Sequence, residues 1–150
     1  MKSVIYFFLT IIMFLANHNY TQAQNVVDDK QAVQMLKEFY TSYNTAWSTT
    51  KGFVLTKKLD SLQLKYCTKK LRREVKESGL DQDPLIGIDY TDVGHLKTLT
   101  ITRDAAKKNS YVVCYIAHTL SAANKPIDER VIIHVTVIKE RGKLKIESVK

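Results

Sequence analysis

The sequence predicts an α+β domain in which N-terminal helices pack on a curved, mostly antiparallel four-stranded sheet. Three observations carry that expectation. The last third of the chain contains three runs rich in β-branched residues, Tyr111–Ile116, Val131–Ile138 and Leu144–Val149, separated by polar stretches. Upstream, apolar residues recur at helical spacing, most clearly Leu36, Tyr40, Tyr43 and Trp47. Finally, the helical patterns precede the strands instead of alternating with them, which is α+β order with the helices on one sheet face.

Taken in order, the chain opens with Met1-Lys2, an apolar run from Val4 to Ala16, and a polar stretch ending in Thr21-Gln22-Ala23. This is the layout of a secretory signal peptide over 1–23, cut after Ala23. The apolar run falls short of the roughly 20 residues a membrane span needs, so no stable membrane insertion is expected after cleavage. The expected location is secreted or periplasmic. Residues 24–150 then form a single domain, long enough for one apolar core.

Asp28 or Asp29 can cap the first helix, whose pattern starts at Gln31 and ends at Ser48–Gly52, with Gly52 as breaker. A second helix is expected from Val54 to Tyr66, because Leu55, Leu59, Leu62 and Tyr66 share a face. Thr68 can cap a third, Lys69 to Ser78, closed by Gly79. Asp81 to Tyr90 reads as an ordered loop with Leu85 and Ile86 tucked inward. Leu96–Thr102 alternates as a first strand, and Leu120–Arg130, with Pro126, reads as a long polar connection. Lys139–Lys143 is a hairpin turn in which Gly142 suits positive φ.

The formal net charge is +8, and loss of the leader removes one lysine. Lys57, Lys58, Lys65, Lys69, Lys70, Arg72, Arg73 and Lys76 concentrate that charge on the second and third helices. No nucleic-acid motif accompanies it, so it reads as a solvated helix surface or a face for an acidic partner, with no nucleic acid expected. Cys67 and Cys114 stand as either a disulfide or two buried thiols, since spacing alone cannot choose.

Candidate chemistry is sparse. Asp81, Asp83, Gly87, Asp89 and Asp92 approach calcium-loop spacing, but Ile86 stands where glycine should and Asp92 where glutamate should. No two histidines have metal-site spacing, so no metal or other cofactor is expected. His134, in the strongest strand, is the candidate acid or base; His118 at a strand end and His95 at a loop boundary are weaker. Tyr40, Tyr43, Trp47, Tyr66, Tyr115 and His134 are the candidate pocket-lining set, weighed against a plain aromatic core.

Met35–Tyr43, Lys65–Leu71, Leu80–Leu85, Leu99–Ile101, Tyr111–Tyr115 and Val137–Ile146 resemble an uncharacterised family of small exported proteins from Bacteroides and its relatives, a domain of unknown function. The resemblance implies a nuclear-transport-factor-two-like, or cystatin-like, cone. It also implies a non-catalytic exported or periplasmic binding protein for a small ligand or protein partner, with an immunity or inhibitor protein as one version and a homodimer allowed. The alternative it implies is a small cone-fold enzyme using His134 as acid or base in the cavity.

Overall fold

A computed structural model describes residues 27–78, 83–88, 93–120 and 125–150. The leader at 1–23, Gly79, and the loop residues Asp81, Asp89 and Asp92 lie outside them.

Helix α1 spans Asp29–Thr49. Its start is set by the cap: the Asp28 carboxylate accepts from the Gln31 amide at 3.0 Å, so the helix begins before the apolar period does. Its buried face holds Leu36, Phe39, Tyr40, Tyr43 and Ala46. Helix α2 spans Gly52–Tyr66 and α3 spans Lys69–Glu77. Gly52 is therefore the first residue of α2 as well as the break after α1, and its φ of 57° is why glycine stands there. Thr68 caps α3 through the Leu71 amide at 3.2 Å.

A 3-10 segment, Val93–Thr98, precedes strand β1, Thr100–Arg103. Then follow β2, Ser110–Leu120, β3, Pro126–Glu140, and β4, Lys143–Val149. They form one antiparallel sheet in sequence order, β1-β2-β3-β4. Helices thus precede a four-stranded antiparallel sheet, the α+β arrangement the sequence predicts.

Two element boundaries need correction. Leu96–Thr102 is not one strand: its first half is 3-10, with the Thr98 hydroxyl donating to the His95 carbonyl, and only Thr100 onward pairs with β2. The stretch Leu120–Arg130 is not all connection. Pro126 opposes Leu120, and Asp128 and Arg130 continue the ladder opposite His118 and Ile116. Proline is tolerated there because it is the first residue of the strand.

Alternation sorts the sheet into two faces. Tyr111, Val113, Tyr115 and Ala117 of β2 and Val131, Ile133, Val135 and Val137 of β3 are buried with Ile146 in one core with the helices. Val112, Cys114, Ile116, Ile132 and His134 face the other way. Polar contacts fix the helices to the sheet. Asp29 accepts from the Tyr111 hydroxyl and pairs with Arg103, each at 2.8 Å. Lys145 of β4 donates to the Leu64 and Lys65 carbonyls at the end of α2, at 2.9 and 2.6 Å, a cation on the negative helix terminus. No helix among the described residues is long and apolar enough to cross a membrane.

Candidate functional site

The interior between helices and sheet is where a cone fold would open a pocket. Here it is filled. Tyr40, Tyr43 and Tyr115 have at most 1% exposure, and the turn Asp83–Ile88 pushes Leu85 and Ile86 in among the core residues. Asp83 builds that turn from its own groups. Its carboxylate accepts from the Leu85 amide at 2.9 Å, and its carbonyl accepts from Ile86 and Gly87. Gly87 sits at φ 67°, and a Cβ there would meet Val131 Cγ1 at 3.3 Å, so glycine lets the turn close on β3.

Two tyrosines hold the turn. The Tyr115 hydroxyl donates to the Ile86 carbonyl. Tyr43 donates to Asp83 Oδ2 at 2.8 Å and accepts from Gln63 Nε2 at 2.9 Å, making a relay from α2 to the turn. Tyr40 differs from both: its hydroxyl is buried with no hydrogen-bond partner among the described residues. Burial pushes all three phenols above their ordinary value, and the Asp83 carboxylate adds to each. Burial likewise pushes the Cys67 thiol up to about 12, against the pull of Lys145 and Arg72. These groups are neutral at physiological pH.

The other candidate residues fall elsewhere. Tyr66, 5% exposed, lies under an open cleft of about 450 Å³ with Gln34, Glu38 and Ser42. Trp47 is half-buried against the core, its Nε1 without a partner among the described residues. His134 is not in a cavity. It stands half-exposed on the outer sheet face, its Nδ1 3.9 Å from Asp104, beyond hydrogen-bond reach. Cys67 and Cys114 are free thiols. Cys67 is in the core beside Ile146, whereas Cys114 is on the outer face and accepts from Arg130 Nε at 3.2 Å. The sheet separates them.

The histidines that do come together are the two weaker candidates. His118 near the end of β2 and Asp128 near the start of β3 are directly opposed, and His118 Nδ1 lies 2.6 Å from Asp128 Oδ1. Both side chains are mostly solvent-exposed. Behind them, His95 is buried, its Nε2 accepting from the His118 amide at 3.3 Å and its ring stacked on Tyr115 at 5.8 Å. The two imidazole centroids are 6.0 Å apart. An imidazole oriented by a carboxylate is an arrangement able to take and return protons near neutral pH. Among the described residues, no group of three or more His, Cys, Asp or Glu could hold a metal.

The sequence signal for this pair was the hairpin register. Once β3 is seen to start at Pro126, Asp128 must face His118.

The fold has a solved counterpart. The crystal structure of a protein of unknown function from Bacteroides thetaiotaomicron VPI-5482 superposes with a TM-score of 0.70, covering 91% of this chain and 98% of that one at 24% identity. At that identity the likeness shows the fold alone. No protein-family model matches the chain, and no curated protein matches it.

Proposed function

We propose that this is a small acid–base enzyme built on a nuclear-transport-factor-two-like cone, with His118 as its working base. The observation that carries the reading is the 2.6 Å contact between His118 Nδ1 and Asp128 Oδ1. With Nδ1–H donating to the carboxylate, Nε2 holds the lone pair and points its basicity away from Asp128. His95, fixed between Tyr115 and the His118 backbone, holds the strand end where the ring is mounted. The base is thus His118, in place of His134. The leader-like pattern of residues 1–23 supports an exported, secreted or periplasmic, setting for this activity.

The test uses an activated ester, p-nitrophenyl acetate, which imidazoles cleave without a specific pocket. The chain is expected to exceed the rate of an equal concentration of free imidazole. His118→Ala should fall to that background, Asp128→Asn should fall part-way, and His134→Ala should be unchanged. Equal rates for the parent and His118→Ala would remove the proposal.

A second reading, a non-catalytic binding domain for a small ligand or protein partner (an immunity or inhibitor protein among them), is favoured by a separate observation. Two buried polar groups close to Cys67, the Tyr40 hydroxyl and Arg72 Nε, lack partners among the described residues. Groups of this kind are costly unless something satisfies them. Capture of one defined protein from the exported fraction by the mature chain, in stoichiometric amount, tests the protein-partner version; a clean blank sinks it.

A further inference from the structure

Helix α2 carries more apolar residues than the fold uses. At about 100° per residue, Leu55, Leu59, Leu62 and Tyr66 share its inner face, and Leu59, Leu62 and Tyr66 pack on the core. Phe53, Val54 and Leu64 do not. They leave 72%, 64% and 60% of their surface exposed, more than any other large apolar residue among those described. Single exposed apolar residues need no explanation, but these three share one side of one helix. Around the helix axis, Phe53, Leu64, Lys57, Ser61, Val54 and Lys65 fill an outward arc of about 120° that contains no acid. Phe53 and Leu64 lie about 16 Å apart along the axis, so the stripe runs most of the length of α2.

The charge of this arc is positive and unneutralised. Lys57 stands over the Phe53 ring, its ammonium 4.5 Å from the centroid, and Lys65 stands over Tyr66 at 4.6 Å. Neither they nor Lys58, which borders the arc, forms an ion pair among the described residues. Asp60, the one acid of α2, lies about 80° from the centre of the arc. It lines the groove that Arg72 and Lys76 line from α3. Over α2 and α3 together, eight basic residues stand against three acidic ones, so the surroundings of the arc reinforce its sign. Apolar tips set among lysines on a convex helix face suit a bilayer interface. The tips enter the acyl boundary, and the lysine stems lie along apolar surface with their ammonium groups at the phosphates. An acidic protein would be met with different residues. Protein interfaces are depleted in lysine and enriched in arginine, whereas every cation of α2 is lysine.

We propose that the outward face of α2 docks the protein on an anionic lipid surface. Phe53, Val54 and Leu64 enter the boundary between headgroups and acyl chains, and Lys57, Lys58 and Lys65 meet the phosphates. Each lysine at such a surface strengthens binding about fivefold, an effect that falls with salt, whereas the apolar contribution does not. The association is peripheral, since no helix among the described residues is long and apolar enough to span a bilayer. It goes beyond both readings above and uses neither His118 nor the tyrosine interior.

The test is flotation with lipid vesicles. It uses residues 24–150, because the apolar run Val4–Ala16 would bind lipid by itself and the described core is built from Val27 onward. Vesicles of mixed phosphatidylglycerol and phosphatidylcholine should carry the protein, and vesicles of phosphatidylcholine alone should not. The double variant Phe53→Ser, Leu64→Ser keeps the charge and should weaken partitioning about tenfold or more. Lys57→Gln with Lys58→Gln keeps the apolar tips and should weaken it to a similar extent. Lys107→Gln with Lys108→Gln, in the exposed turn before β2, removes the same charge from elsewhere and should leave partitioning nearly unchanged. All six positions are exposed, and parent-like urea midpoints verify that the variants are folded. Failure to float with the anionic vesicles overturns the proposal, as does undiminished partitioning of the Phe53, Leu64 variant. Equal losses from the two lysine pairs would reduce the binding to net charge and overturn it too. Tight binding to soluble polyglutamate without vesicle binding would assign the face to an acidic polypeptide, and the lipid proposal would fall.

Discussion

Tyr40 and Tyr43 lie one turn apart on α1, are equally buried, and should respond oppositely to the same substitution. Tyr43→Phe removes a hydroxyl that donates to the Asp83 carboxylate at 2.8 Å and accepts from Gln63 at 2.9 Å. A hydrogen bond to a charged group contributes about 1.5–3 kcal/mol and a neutral one about 0.5–1.5 kcal/mol, offset in part by the desolvation no longer incurred. The net expectation is a loss of about 2–3 kcal/mol. Tyr40→Phe removes a hydroxyl with no partner among the described residues. An unsatisfied buried group of that kind costs about 1–3 kcal/mol, so its deletion should be neutral or stabilising by about 1 kcal/mol. Both variants keep the ring, and with it the edge-to-face packing of Tyr40 on Phe39 at 5.2 Å. Equilibrium urea unfolding reads the difference: the Tyr43→Phe midpoint should fall below the parent's and the Tyr40→Phe midpoint should equal or exceed it, with unchanged slopes. Shifts in the same direction, or a loss above about 1 kcal/mol for Tyr40→Phe, would show that Tyr40 has a partner and that the interior polar network is drawn wrongly.

The remaining expectations concern thiols and alkali. In the folded chain a thiol reagent should modify Cys114 readily and spare Cys67, which is buried with its ionisation pushed up to about 12. Cys114→Ser should abolish the fast phase, and denatured, unreduced protein should titrate two thiols; zero thiols would mean the sheet does not separate them. Stability should fall in alkali. Cys67 and the buried tyrosines have folded-state values raised above their unfolded ones, so between those values the unfolded chain releases protons that the folded chain keeps. For Cys67 the window runs from 9.0 to about 12, and each group inside its window contributes a slope of about 1.4 kcal/mol per pH unit. Unfolding free energies across this range should steepen downward, and Cys67→Ala should shallow the first part of the fall; an unchanged slope would contradict the placement of Cys67.

Much of the frame was legible because it rests on local period. The stripe Leu36, Tyr40, Tyr43 marks the buried face of α1, and the alternation in Tyr111–Ala117 and Val131–Val137 marks the inner face of the sheet. The errors occurred where one pattern serves two structures. Leu96–Thr102 alternates like a strand, yet a 3-10 segment places His95 inside and spends half of that run. Pro126 and the charges after it look like a loop, although a strand end facing water on both sides carries the same residues. The candidate sites were hardest, since they are made of distant pairs. Nothing near Asp83 announces Tyr43, 40 positions away, and His118 is a weak candidate at a strand end until the register sets Asp128 against it. Of the aromatic residues proposed as pocket lining, Tyr40, Tyr43 and Tyr115 lie in the core; what period cannot show is that Leu85 and Ile86 are packed there with them.

The tie between α2 and β4 bears on the order in which the molecule is made. Lys145 covers the last carbonyls of α2, Ile146 accepts from the Thr68 amide at 2.9 Å, and Cys67 bridges to Ile146. Synthesis delivers those partners roughly 80 positions after the helix end they complete. Until the final strand clears the ribosome, the corner between α2 and α3 has helices but no clasp. A chain that stalled or was clipped shortly before Lys145 would leave that corner loose, and the strand hairpin with one long, unpaired edge. β4 thus locks the middle of the chain: the corner between α2 and α3 is clasped only once Lys145 and Ile146 have been added.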